Sequence, residues 1–284
     1  MSFENPKHEL RETKENPGTP ALIVDFIRHG MPEYTEKEKM SGELEGKLTE
    51  KGKGQIRAAA TELAGRIDKD TEIVVIWTSG KKRAKQSALI VGDIFREQGI
   101  LLLSDPNKRP NAIKEIGFLR DIKTGVGEGA DSDESSPFWD SIYFAREGGK
   151  KLRSGEEVDF DRWLEFWVEK DEEKTLPLHT ETPEQVKKRS MTMLAHLIRV
   201  AKHVKPKENK RLRMVIVGHE EGVRDLLEES LHMGTQKGNG PAYGEMIEVG
   251  ISPQGDDAFL DVSFRGKKGK LVFDREKREI KRTK

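Results

Sequence analysis

Short unbroken apolar runs alternate along this chain with stretches whose apolar residues return every three or four positions. The first run, Ala21-Leu22-Ile23-Val24-Asp25-Phe26-Ile27, shows almost no polar alternation. Such a run suits a strand covered on both faces, as in a parallel sheet. It stops abruptly at Arg28-His29-Gly30. After Leu48-Thr49-Glu50-Lys51-Gly52 the period changes. Ile56, Ala59, Ala60, Leu63, Ala64 and Ile67 fall on one helical face, with Thr49 placed to cap the N-terminus. Glu72 to Trp77 predicts a second buried strand, ending at Thr78-Ser79-Gly80. A helix with Ala84, Ala88, Val91 and Phe95 on one face follows, and then a short strand from Ile100 to Leu103.

The rhythm breaks between 119 and 180. This span holds Gly125, Gly127, Gly129, an acidic-serine run, and Trp139, Trp163 and Trp167. Long insertions in an α/β domain are more often functional lids than core. Thr182-Pro183-Glu184-Gln185 then opens the longest predicted helix. It has a capping threonine, proline at the first helical position and glutamine three residues after the cap. Its apolar face is Val186, Met193, Leu194, Leu197, Ile198 and Ala201. Arg213 to Val217 is another buried strand, ending at Gly218-His219-Glu220-Glu221, with a helix expected from there to His232. Tyr243–Val249 and Phe259–Phe264 predict further strands, the second near an edge.

This order predicts an α/β protein, a three-layer α/β/α sandwich with a mostly parallel sheet. Residues 20–265 form the domain, with 119–180 as an inserted lid. Residues 1–19 read as a flexible polar leader. Residues 266–284 read as a basic C-terminal tail; from Arg265 to Lys284 there are ten basic and three acidic residues.

Composition narrows the chemistry. The 284 residues are 34% hydrophobic and 36% charged, and 51 Lys+Arg balance 51 Asp+Glu. Global charge therefore gives no argument for nucleic acid or an anionic membrane as partner. The absence of cysteine excludes disulfides, a thiolate nucleophile and Cys-ligated metal sites. No apolar run is long enough to span a bilayer and no secretory h-region opens the chain, so a cytoplasmic location is expected.

Two histidines stand out by position. His29 follows the first strand and His219 follows the strand at 213–217. Ligands in open parallel sheets bind outside the carboxyl ends of the strands. A neutral imidazole is a competent nucleophile toward phosphorus. The charge on the transferring group calls for fixed cations, and Arg28 and Arg83 can grip phosphate in bidentate fashion. A protonated His219 would add a donor. The chain's own cations suffice for such a site, so no metal or other cofactor is expected. A leaving alkoxide needs an acid, and the candidates are Glu115 and Glu220.

Four segments carry a resemblance to a family. Arg28-His29-Gly30 resembles the RHG signature of the histidine phosphatase (phosphoglycerate-mutase-like) superfamily. Leu48-Thr49-Glu50-Lys51-Gly52 looks like its LTxxG segment. Ser79 to Ala88 resembles its SSPLxRAxQTA segment, and Gly218-His219-Glu220 its second-histidine motif. They stand in the family's order, and four ordered segments at strand ends are far more specific than any one alone. The resemblance implies the phosphoglycerate mutase-like fold and a phosphohistidine on His29. It also implies phosphate binding by Arg28, Arg83 and His219, and an acid at Glu115 or Glu220. Met31-Pro32-Glu33-Tyr34 departs from the Glu and Asn often found after RHG, and Gly80 replaces the usual proline. The departure just after RHG favours a phosphatase over a phosphoglycerate-type mutase. A non-catalytic phosphate-binding protein on the same scaffold is the third reading, and the intact histidine–arginine set argues against it. The expected partner is a small phosphorylated substrate or a phosphoprotein. His8, His179, His196, His203 and His232 read as structural or exposed, and Arg57 and Arg189 as solvated helix residues.

Overall fold

The computed structural model describes residues 19–35, 37–38, 45–103, 113–121, 181–203, 210–233 and 239–283. Nearly all of the expected leader and lid, with the three tryptophans and the glycines at 125–129, lies outside the described residues.

Strand β1 (Leu22–Arg28) runs through the middle of an eight-stranded sheet. The remaining strands are β2 (Pro32–Glu33), β3 (Lys47–Leu48), β4 (Glu72–Thr78), β5 (Lys114–Glu115), β6 (Arg211–Gly218), β7 (Met246–Gln254), β8 (Asp257–Phe264), β9 (Lys267–Asp274) and β10 (Glu279–Arg282). The large sheet has the order β10-β9-β8-β7-β1-β6-β4-β5, and β2 pairs with β3 separately. Four strands, β1, β6, β4 and β5, are mutually parallel, while β7 to β10 extend the sheet as an antiparallel meander.

Among the described residues, four helices cover the sheet. They are α1 (Glu50–Arg66), α2 (Lys82–Glu97), α3 (Pro183–His203) and α4 (Arg224–Leu231). Alternation along β1 divides its side chains between two cores. Leu22, Val24 and Phe26 join Leu194, Leu197 and Leu227 of α3 and α4. Ile27 joins Ile56, Leu63, Val91 and Phe95 of α1 and α2. Helices therefore cover both faces of the parallel half, and the α/β fold expected from the apolar runs is borne out. The apolar positions read for α1 and for α2 are all buried.

The helix starts are those written in the sequence. Thr49 accepts a hydrogen bond from the Gly52 amide at 2.9 Å and donates to the Met31 carbonyl at 3.1 Å. Thr182 and Gln185 cap α3 reciprocally, at 2.9 and 3.2 Å. Gly52 also meets a steric demand. A Cβ there would lie 2.2 Å from the Met31 carbonyl oxygen, so only glycine lets the loop after β1 rest on the first turn of α1.

Inside the apolar runs sits a buried ionic network. Arg213 donates to Asp25 at 2.8 Å and to Glu72 at 2.9 Å, and Arg211 also bonds Glu72. It ties together β1, β6 and β4. Burial pushes the Asp25 carboxyl up to about 6, against the pull of Arg213.

Three details differ from the sequence reading. The basic tail is not a solvated end: it forms β9 and β10. Leu271, Phe273 and Ile280 point into the core, while Lys268, Lys270 and Lys281 do not. The high lysine and arginine content hides this period-two pattern, which is normal for strands near an exposed edge. β8 lies between β7 and β9 rather than at the edge. Residues 100–103 make only a bridge, Leu102 to Val74, beside the short β5.

Phe273 is fully buried, so Phe273→Ala is expected to cost about 3–5 kcal/mol of unfolding free energy. Lys268→Ala, on the exposed side of the same strand, should stay within about 0.5 kcal/mol. Urea melts of the two variants measure the difference, and equal effects would contradict the strand assignment.

Candidate active site

Three adjacent parallel strands end level with one another. Arg28 at the end of β1 pairs with Gly218 at the end of β6, and Thr78 at the end of β4 pairs with Val217. Just past these ends, the His29 amide donates to the Gly218 carbonyl at 3.0 Å and the Ser79 amide to the Val217 carbonyl at 3.2 Å. His29, Ser79 and His219 are thereby delivered to one edge of the sheet. The two imidazole rings stand edge to face, with centroids 5.1 Å apart.

His29 is buried and held in one tautomer. Its Nδ1–H donates to the Gly30 carbonyl at 2.8 Å, which leaves the lone pair on Nε2. That lone pair meets the Arg83 Nε–H at 3.0 Å. Burial, and after it the charges of Arg83 and Arg28, hold the ring well below its usual pKa. At neutral pH it is an unprotonated imidazole beside a guanidinium. Ser87 tightens the loop by accepting from the Gly30 amide at 3.2 Å and donating to the Arg83 carbonyl at 2.8 Å.

His219 Nε2 lies 2.8 Å from Ser79 Oγ, and its Nδ1 lies 3.4 Å from Arg83 Nη2. Since the guanidinium can only donate, Nδ1 accepts and Nε2–H donates to Ser79. Burial pushes this ring down to about 3, with Asp121 opposing and Arg83, Lys81 and Arg28 assisting. His219 is thus neutral rather than a standing cation at neutral pH.

The two arginines are pre-aimed. Arg28 Nη1 pairs with Glu220 Oε2 at 2.6 Å, donates to the Pro241 carbonyl at 2.8 Å and has its guanidinium 4.2 Å over the Tyr243 ring. Arg83 donates to the Glu45 carbonyl at 3.0 Å and bonds Asp121. Each cation is paired with a carboxylate, Arg28 with Glu220 and Arg83 with Asp121.

The structure therefore brings together Arg28, His29, Arg83, His219 and Glu220 of the residues expected from sequence. Glu115 ends β5 level with Thr78 of β4; it is exposed, its Oε2 would lie 3.9 Å from a Cβ at Gly80, and it pairs with Lys85 at 2.9 Å. Glu220 is buried, but it faces Arg28. Sequence reasoning missed Asp121, Glu221 and Tyr243. Asp121 was absorbed into the expected lid. Nothing in the spacing distinguished Glu221 from Glu220, since both lie in one 3-10 turn, Glu220–Val223. Arg189 is also not solvated: with Arg120 it clamps the buried Glu181. Among the described residues, Asp121, His219 and Glu221 offer donor atoms within 4.8 Å of one another, a set able to hold a cation. The Arg83 guanidinium already provides a positive charge there.

Residues 24–102 match the family model described as histidine phosphatase superfamily (branch 1). This span contains the RHG-like, LTxxG-like and Arg83 segments, and the resemblance read from them is borne out. Among solved structures, mycobacterial hydrolase 2 is 18% identical, with 87% of this chain and 91% of that one covered and a TM-score of 0.52. Mycobacterial hydrolase 1 is also 18% identical, with 88% and 96% covered and a TM-score of 0.50. These two share the fold. A mycobacterial glucosyl-3-phosphoglycerate phosphatase is 19% identical, with 80% and 89% covered and a TM-score of 0.46. A search of curated proteins returns no match. No helix among the described residues is long and apolar enough to cross a membrane.

The depressed histidines make stability sensitive to acid. Below the ordinary 6.5 the unfolded chain binds protons that folded His29 and His219 refuse, so their contribution is present above 6.5 and lost as pH falls. Glu221 and Asp25, whose folded pKa values are raised, act in the opposite sense, stabilising the folded chain as pH falls from their raised values toward the ordinary carboxylate range. The expected signature is a difference. His219→Asn should flatten the dependence of unfolding free energy on pH between 6 and 5 by up to about 1.4 kcal/mol per pH unit. Denaturant titrations across that range measure it, and an unchanged slope would mean that His219 titrates normally.

Proposed function

We propose that this chain is a metal-independent phosphomonoester hydrolase that works in two steps through a phosphohistidine on His29. The observation that carries this reading is the state of His29. Its Nδ1 is tied to the Gly30 carbonyl, and its Nε2 lone pair faces the Arg83 guanidinium at the carboxyl end of β1. This is the geometry of a nucleophile aimed at an anion-binding point.

In the first step Nε2 attacks phosphorus and the ester oxygen leaves. Arg83, next to the attacking nitrogen, and Arg28 bind the phosphoryl oxygens as charge spreads over them. A dianion there favours protonation of His219, which then becomes a donor to the same group. In the second step water attacks the phosphohistidine, and inorganic phosphate and neutral His29 are regenerated. The arginines and His219 supply all the positive charge these steps need, which supports a mechanism without metal. Fold likeness at this level of identity supports no particular substrate, so the proposal stops at a phosphate monoester.

Hydrolysis of p-nitrophenyl phosphate should survive EDTA, and brief incubation with substrate should leave an acid-labile phosphoenzyme. His29→Ala should abolish the phosphoenzyme and lower kcat on the order of 10⁴-fold. Arg83→Lys, which keeps charge but loses the fork of donors, should weaken competitive inhibition by inorganic phosphate. Absence of turnover on any phosphate ester, with no phosphoenzyme, would refute the reading.

A further inference from the structure

The turn between β8 and β9 has two residues, Arg265 and Gly266, and Phe264 pairs with Lys267 across it. Both turn residues have positive φ, 47° and 75°. This is the backbone of a tight hairpin turn, in which asparagine or aspartate before glycine is favoured and a long side chain is strained. Arginine stands there against the local preference. A residue held in such a conformation is retained for what its side chain does.

Arg265 Nε donates to Glu245 Oε1 at 3.0 Å and Nη2 donates to Oε2 at 2.5 Å, while Nη2 also donates to the Gly240 carbonyl at 3.1 Å. Exposed ion pairs contribute little as a rule, but a two-pronged pair that also binds a carbonyl fixes geometry. The segment it holds, Gly240 to Glu245, is also the one that holds Arg28. The Glu245 carboxylate accepts from the Ala242 amide at 2.6 Å and closes the loop on itself. The Gly244 amide donates to the Arg28 carbonyl at 3.0 Å, and the Arg28 amide donates to the Glu245 carbonyl at 3.1 Å. The Pro241 carbonyl accepts from Arg28 Nη1 at 2.8 Å. Tyr243 carries the Arg28 guanidinium 4.2 Å over its ring, and its ring centroid lies 5.5 Å from that of His29. A Cβ on Gly240 would lie 2.0 Å from Glu220 Oε1, so the loop backbone also rests on the carboxylate that pairs with Arg28.

We propose that Arg265 is a remote positioning residue for the phosphoryl site, holding the 240–245 loop so that Tyr243 and Pro241 set the Arg28 guanidinium where phosphate binds. The inference rests on the hydrolase reading, in which Arg28 grips the phosphoryl group. Nη1 of Arg28 is occupied by Pro241 and Glu220, so the donors left to a phosphoryl group are those on Nε and Nη2. Their direction is fixed by the ring below and the carbonyl beside them. Once the loop is released, Arg28 samples other rotamers. Phosphate affinity then falls by the fraction of time the fork is misaimed. Arg265 acts only through this chain of contacts: turn, loop, Tyr243 and Pro241, Arg28.

Arg265→Asn separates this role from a structural one. Asparagine suits the turn backbone better than arginine, so the urea midpoint should equal or exceed that of the unmodified protein. The Kd for inorganic phosphate by calorimetry, and its Ki against p-nitrophenyl phosphate, should nonetheless rise about three- to tenfold. Arg278→Asn is the control. Arg278 also has positive φ, 53°, but it lies in the β9–β10 turn at the opposite end of the meander, and its replacement should leave phosphate binding unchanged. In an Arg28→Lys background, Arg265→Asn should add no further loss, because the group it positions is already gone. An unchanged phosphate Kd in Arg265→Asn would overturn the proposal. So would an equal change in Arg278→Asn, or full additivity with Arg28→Lys. Failure of the hydrolase reading looks different: the unmodified protein would then release no phosphate from p-nitrophenyl phosphate, while its phosphate Kd would still report on Arg265.

Discussion

The hydrogen bond from the His29 amide to the Gly218 carbonyl, at 3.0 Å, fixes the level at which two parallel strands release their chains. The bond from Ser79 to Val217 does the same for the third. Without that shared register the two imidazoles could not stand 5.1 Å apart, because residues more than 180 positions distant in sequence would have no common frame. Below the site the same three strands are tied by Arg213 to Asp25 and Glu72. A buried network of this kind adds little net stability, but removing one partner strands a charge. Its position across β1, β6 and β4 opposes relative slippage of the strands that carry the chemistry.

Electrostatics follows from that geometry. Two arginines and two histidines share a dry edge, and the protein tolerates this by keeping both rings neutral and giving each guanidinium a carboxylate. Arg28 is balanced by Glu220 and Arg83 by Asp121. In the proposed reaction a phosphate dianion takes over the role that those carboxylates play. The cations are thus held in place without ligand, and little reorganisation is left for the moment of binding.

Much of this was legible before any coordinates. Unbroken apolar runs can only be doubly covered strands, and Thr49 and the Thr182–Gln185 box announced their helices by local hydrogen-bonding rules that need no tertiary contact. Arg28, His29, Arg83 and His219 were found because each stands at or just beyond a strand end in a quoted segment. The β9–β10 hairpin was not found, because three inward apolar residues are swamped by surrounding charge when composition is read in bulk. Asp25 was passed over for the opposite reason: one acid inside an apolar run gives no sign of the arginine on the neighbouring strand.

By itself, then, the sequence determined the strand–helix order, the helix caps and the four residues of the proposed anion-binding set, all consequences of short-range periodicity or of position at a strand end. The partners of those residues were decided only in three dimensions. Asp121 and Glu221 lie 100 positions apart, and only in the fold do their carboxylates come within 4.8 Å of each other and of His219. Which carboxyl holds a proton depends on burial and on the charges across the gap, and neither quantity exists until the chain is folded.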